Sequence, residues 1–330
     1  MKARKAESIL RSLVQYPAST TGATCLLLLT VIFWTSGALW PTELPEYASS
    51  GRQITGMVLM LILLPSYFLV AIFVAQRRSF DLVEQLEPLL PDPRHALDAR
   101  EAIRDGLKRT WLAGSVFGLG MGLVNAQPIY ALTESTTPSI DISISLGQLF
   151  LWLIVGLVLG QHAVTARSFS RLGEVVEFDL FQLERLRPLA RSGMVDVLVI
   201  TGALALTPLQ ALDAEFRWYN YSFGLMISIP AAVVLLVWPM RSVHRRIRRE
   251  KQRQLSRISA LIRDARGSAT QEGILQFETL LAHRERLRDQ RTWPFSTALM
   301  SRLFIYLIIP PLAWAGAAVV ETMVNRLIDR

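Results

Sequence analysis

The stretch VWPMRSVHRRIRREKQRQLSR, residues 237–257, decides how the chain is read. An apolar run ends at Met240, and eight basic side chains then fall within seventeen positions: Arg241, Arg245, Arg246, Arg248, Arg249, Lys251, Arg253 and Arg257. Only one acid, Glu250, stands among them. Such a run suits a nucleic-acid arm, a membrane-surface contact, or the positive flank that fixes which way a membrane helix faces. What precedes it chooses between them.

Residues 219–240 are long and apolar enough to cross a bilayer core about 30 Å thick, which takes roughly 20 residues at 1.5 Å each. Five more stretches meet that length cleanly: 21–41, 53–76, 111–131, 144–166 and 193–212. A seventh, 297–325, meets it with consecutive prolines, Pro310 and Pro311, at its centre. One such run suits a buried core helix of a soluble protein; six do not. Composition agrees, since 51% of the 330 residues are hydrophobic and only 19% charged, too apolar a balance for an ordinary soluble chain. The expected fold is therefore all-α: a polytopic transmembrane helical bundle of six clear membrane helices plus a proline-broken seventh, with a helical hairpin outside the membrane. The basic segment before residue 21 is followed by an apolar run too long for a signal peptide, so a retained first helix is expected. The lone cysteine, Cys25, forms no intrachain disulfide and says nothing of compartment.

Loop charge sets the expected sidedness. The N-terminal tail carries Lys2, Arg4, Lys5 and Arg11, whereas 42–52, 132–143 and 213–218 are short and lean acidic. The connections 77–110 and 167–192 are longer and arginine-bearing. Excess Lys and Arg mark cytoplasmic segments, so the protein is expected in the cell or inner membrane with its N-terminus in the cytoplasm. Residues 241–291 hold 14 basic and 6 acidic residues, and this excess equals the net charge of +8 for the whole chain.

Three regions follow. Residues 1–240 form a membrane domain of three helical hairpins joined by amphipathic segments at 77–110 and 167–192. Asp92 with Pro93 is expected to start a helix in the first segment. Asp179 and Gln182 are expected to cap a short interfacial helix in the second, stopped by Pro188. Residues 241–292 form a basic helical hairpin, its first arm continuous with the sixth membrane helix and reaching on the order of 35 Å beyond it. Leu255, Ile258 and Ile262 on that arm are set to face Phe277, Leu281 and Leu287 on the returning arm, a seam narrow enough to invite a second chain. Residues 293–330 form the proline-broken segment, which either spans or folds back.

No catalytic motif is present, neither GxSxG, HExxH, CxxC nor a phosphate-cradling loop, so no enzyme activity and no cofactor or metal is expected. Neither a potassium filter nor a voltage-sensor arginine ladder is found. Polar groups inside the membrane runs are the better lead, because they are costly there. His162 and Asp196 fall at the same level on neighbouring helices and are set to pair. With Asn125, Gln127, Pro310 and Pro311 they make a candidate polar path. Gly114, Gly118 and Gly122 give a smooth face for close helix packing, with Gly120 extending it. Arg241, Arg245, Arg246, Arg248, Arg249, Lys251 and Arg253 are candidates to contact anionic lipid headgroups or an acidic protein partner. Nucleic acid is not expected, because no aromatics interleave the arginines and no nucleic-acid module is visible.

The expected function is an ion or small-solute channel or transporter built from an oligomeric helical bundle. The alternative is a non-conducting scaffold or sensor whose hairpin binds a cytoplasmic protein or anionic lipid. Expected partners are the bilayer, anionic headgroups and further copies of the chain.

Overall fold

The computed structural model describes residues 18–126, 128–133, 135–211, 218–265 and 271–290, with 301, 305 and 308. No strand occurs among them; nine α-helices account for most of the described chain. They are α1 (Ala18–Thr35), α2 (Gly51–Leu86), α3 (Arg94–Arg104), α4 (Gly106–Ala126) and α5 (Pro128–Thr133). Then come α6 (Pro138–Val175), α7 (Arg187–Leu206), α8 (Trp218–Ala265) and α9 (Gln271–Asp289).

Local chemistry sets the boundaries. Gly37, with φ of 81°, ends α1, the left-handed turn that glycine adopts without strain. Ser50 caps α2 by accepting from Gln53 N, while Gln53 Oε1 accepts from Ser49 N at 2.8 Å. Asp92 Oδ1 accepts from Arg94 N at 2.8 Å, but the N-cap of α3 is Pro93, one residue later than expected, and it makes no side-chain cap. Pro188 departs from expectation. It does not stop a helix; it lies in the first turn of α7, where its missing N–H costs nothing. Residues 183–186 form only a 3-10 turn before it, with Asp179 Oδ1 accepting from Phe181 N.

Five helices of the described residues are long and apolar enough to cross a membrane: α1, α2, α6, α7 and α8, the second and fourth with adjoining turns. Six were expected. The expected span at 111–131 is not among the five; it falls on α4 and α5, and Gln127 between them lies outside the described residues. Glycines dilute the apolar character of α4. The segment 297–325 lies outside the described residues except at three positions.

The buried face of α4 is Gly106, Gly114, Gly118, Gly122 and Ala126, with no larger side chain. It lies against α6, where a β-carbon on Gly114 would come 2.7 Å from the carbonyl oxygen of Gly156. Gly120 points to open space and takes no part, contrary to expectation. The other faces of α4 expose Leu112, Val116, Leu123 and Val124, and α1 exposes Leu27, Leu28 and Val31. Contiguous exposed apolar surface of this kind suits contact with lipid. Helix α6 is central, touching α1, α2, α4, α7 and α8.

The apolar interior is divided. One cluster joins α1, α2, α6 and α7 through Phe33, Leu61, Leu151 and Val199. A smaller one joins α6, α7 and α8 through Ala166, Ile200 and Leu235. A separate cluster gathers the far reaches of α2, α6 and α8 with α3 and α9, through Val83, Ile103, Phe169, Ile247 and Leu287. We call this the basic end, since α8 carries its arginines there. Ile258, Ile262 and Leu287 of the expected seam are buried within that cluster, with Leu255, Phe277 and Leu281 packed against it. The seam residues thus belong to one apolar cluster of the chain, in which α9 packs against α8.

Candidate functional site

Between the membrane-level clusters and the basic-end cluster lies a layer of polar side chains contributed by four helices. On α2 the fully buried apolar residues stop at Ala75 and resume at Leu82, with Gln76, Ser79 and the half-buried Phe80 between. On α6, Gln161, His162, Thr165 and Ser168 are buried between Val158 and Phe169. On α7, Ser192 and Asp196 lie between Leu189 and Val197. On α8, Ser242 precedes Val243 and meets Ser170 of α6 at 3.2 Å.

At the centre His162 Nδ1 meets Asp196 Oδ1 at 2.6 Å, with side chains 3% and 2% exposed. The expected pair therefore forms. Antiparallel α6 and α7 place the two residues at one level, and flanking apolar residues keep water out. This contact through Nδ1 leaves Nε2 on the far side of the ring from Asp196. His162 Nε2, Asp196 Oδ2 and Gln161 Oε1 are buried and have no hydrogen-bond partner among the described residues. Gln161 Nε2 donates to Ile103 O at 2.8 Å, tying α6 to the end of α3. Gly106 fits there because a β-carbon would stand 2.5 Å from Gln161 Oε1. Gln76 Nε2 approaches the same carbonyl at 3.4 Å from α2. Chemically the layer can hold or pass a proton between one imidazole and one carboxylate. It has no metal set: no group of three or more His, Cys, Asp or Glu gathers among the described residues.

Asn125 does not join this site. It donates to Met121 O and lines a separate cavity of about 280 Å³ at the opposite end of the bundle, with Tyr47, Asp141 and Gln148. Asp141 accepts from Tyr47 Oη at 2.7 Å, from Thr137 Oγ1 at 3.2 Å and from Ser135 Oγ. Asp141 falls within the expected 132–143 connection, but it lies in the first turn of α6. The signal was available, since an acid three residues after a helix-starting Pro138 belongs in the first turn. Residues 149–160 of α6 lie between the two sites, twelve consecutive residues without a charged, amide or hydroxyl side chain, or about 18 Å of helix. Gln127, Pro310 and Pro311 lie outside the described residues.

The basic residues separate into different tasks. Arg246 folds onto α6, donating to Val176 O at 2.8 Å and to Gly173 O at 3.3 Å, 5.2 Å from the Phe178 ring centroid. Lys251 donates to Arg288 O and Gln290 O at 2.7 and 2.6 Å, satisfying the last carbonyls of α9. Arg248 is exposed. Arg241, Arg245, Arg249 and Arg253 repeat every four residues and line one cleft with Arg246.

No family model, curated protein or solved structure matches the chain.

Proposed function

We propose that the protein is an integral membrane sensor or scaffold that works at its basic, cytoplasmic end, with the N-terminus on the same side. One observation supports this reading: the buried polar groups of α6 gather towards its two ends, around Asp141 and around His162, and the twelve residues between those ends are apolar. A conducting path needs polar groups or water at successive depths. The central helix α6 instead presents only apolar side chains and glycine over residues 149–160. The layer joins a lipid-facing bundle to a helical body outside it, the arrangement a device needs if it is to relate one to the other. Its working surface is the body built from α3, α9 and the extensions of α2, α6 and α8.

The second reading, an ion or small-solute channel or transporter formed by an oligomeric bundle, rests on the unsatisfied atoms of Gln161, His162 and Asp196. Intramembrane ionisable groups commonly mark transport routes. Flux separates the two. The full chain is reconstituted into liposomes loaded with a pH-sensitive dye, under proton, potassium and sodium gradients. Rates equal to protein-free liposomes are expected. A protein-dependent flux abolished by Asp196→Asn would overturn the sensor reading in favour of transport.

A further inference from the structure

A cleft of about 1220 Å³ opens between α6 and α8 where the apolar half of α8 becomes its basic half. We infer that this cleft is a binding site for one anionic phospholipid molecule, its phosphodiester held by Arg241, Arg245 and Arg249 and an acyl chain lying along Val233, Val234 and Val237. The inference is independent of whether the protein conducts.

The composition of the cleft changes along a single helix in the order a lipid requires. Val233 and Val234 are 54% and 50% exposed, and Trp238 is 40% exposed. Tryptophan with one apolar face and one N–H settles at headgroup level. Arg241 follows one turn later, with Arg245 and Arg249 at further steps of about 6 Å. From Val234 to Arg245 is eleven residues, about 16 Å, the reach of a glycerol phosphate with the upper part of an acyl chain. A soluble anion would leave the valine wall uncovered, and an acidic peptide would have to bury its backbone against it.

Charge on the page narrows the head. Arg241, Arg245 and Arg249 have no hydrogen bond or ion pair among the described residues, whereas Arg253 is paired with Glu250 at 3.8 Å and Arg246 is spent on α6 carbonyls. The opposite wall carries Ser170, Glu174, Glu177 and Phe178. Five arginines against three glutamates leave the lining at +2, which suits a singly charged phosphodiester better than a polyphosphate head. Guanidinium forks match phosphate oxygens in pairs.

The test measures retained lipid by native mass spectrometry of the full chain in mild detergent, titrated with phosphatidylglycerol or phosphatidylcholine. One phosphatidylglycerol per chain is expected at concentrations where phosphatidylcholine is not retained. Each arginine beside an anionic headgroup is worth about fivefold, so the triple change R241Q/R245Q/R249Q weakens retention on the order of a hundredfold. R284Q/R286Q/R288Q removes the same charge from α9 and leaves retention within about threefold. R245Q alone, expected at about fivefold, serves if the triple variant does not fold by tryptophan fluorescence. Equal loss in the two triple variants, or unchanged retention in R241Q/R245Q/R249Q and R245Q, would overturn the site. Displacement of phosphatidylglycerol by polyglutamate at equimolar concentration would assign the cleft to an acidic protein instead. These readouts register binding only, so they stand apart from the flux measurement.

Discussion

Two glycines six residues apart on α4 should respond to the same substitution with opposite sign. A β-carbon on Gly114 would lie 2.7 Å from Gly156 O, 3.0 Å from Gly156 C and 3.2 Å from Leu157 Cα. All three atoms are backbone of α6, so no side chain can swing aside. Restoring an ordinary contact requires the helices to part by about 0.7 Å or more, and Gly118 and Gly122 lie on the same contact line. Overpacking of this kind costs about 1–3 kcal/mol. Against it stands the helix-propensity gain of glycine to alanine, at most about 1 kcal/mol. Gly114→Ala is therefore expected to destabilise by about 1–2 kcal/mol. Gly120 has nothing within 4 Å of its added carbon, so Gly120→Ala keeps only the gain and is expected to stabilise by up to about 1 kcal/mol.

Both variants can be unfolded by graded detergent denaturation in micelles, followed by tryptophan fluorescence, since Trp152 lies on the α6 side of this contact. The expected separation between them is the overpacking cost alone, about 1–3 kcal/mol, because the propensity gain is common to both. A Gly114→Ala protein as stable as Gly120→Ala would refute the close approach of α4 to α6. The related change Gly118→Ile should lower the stability of the chain itself, because the face it occupies is internal; loss of an oligomer with unchanged unfolding would show the face to be intermolecular.

Asp196→Ala strands His162 in a dry site, and removing one partner of a buried pair costs about 3–5 kcal/mol; the same unfolding assay reads it, and a loss below about 1 kcal/mol would mean water reaches the pair. Tyr67 donates from its hydroxyl to Val199 O at 2.9 Å between α2 and α7, so Tyr67→Phe should cost about 1 kcal/mol, checked by the same denaturation curve. Arg246→Gln releases the Gly173 and Val176 carbonyls at the end of α6, for about 1–3 kcal/mol. Hydrogen exchange should then rise at residues 172–178 and not in α4; equal protection in both proteins would discount the contact.

Much of this architecture was legible because membrane helices announce themselves by length. The passage of α8 from an apolar to a basic half follows directly from the order of residues at Met240 and Arg241, and the helix continues through both. The pairing of His162 with Asp196 was also readable, since each lies a few residues inside the same boundary on adjacent antiparallel helices. What could not be read was rotation. The pattern at Gly114, Gly118 and Gly122 is the same whether the face meets α6 or another molecule, and only packing decides. Pro188 carries equal local weight as a stop or a start, and the turn at Leu183–Leu186 resolved it. The polar layer was invisible for a further reason. Gln76, Ser192 and Ser242 are ordinary in their own sequence windows and join His162 and Asp196 in a layer only when four helices fix their relative heights.

That layer is hard to explain as stabilisation. Desolvating a carboxylate and an imidazole costs several kcal/mol, and replacing such pairs with well-packed apolar groups often leaves a protein equally stable or more so. Three of its atoms also lack partners among the described residues, which adds to the cost. Register offers a physical reason to keep it. Apolar helix faces tolerate a slide of one turn, since leucine meets leucine again about 5.4 Å along. A 2.6 Å contact between Nδ1 and Oδ1 does not survive that slide, and neither does the Gln161 bond to Ile103 O at 2.8 Å. The two bonds fix α6 against α7 and against the α3–α4 corner at one height. A lipid seated between α6 and α8 would press on this same level from the other side, since Ser170 and Ser242 meet at the base of its cleft. The costly layer and the arginine-lined cleft are then two sides of one junction, the place where a change at the membrane surface would reach the helical body beyond it.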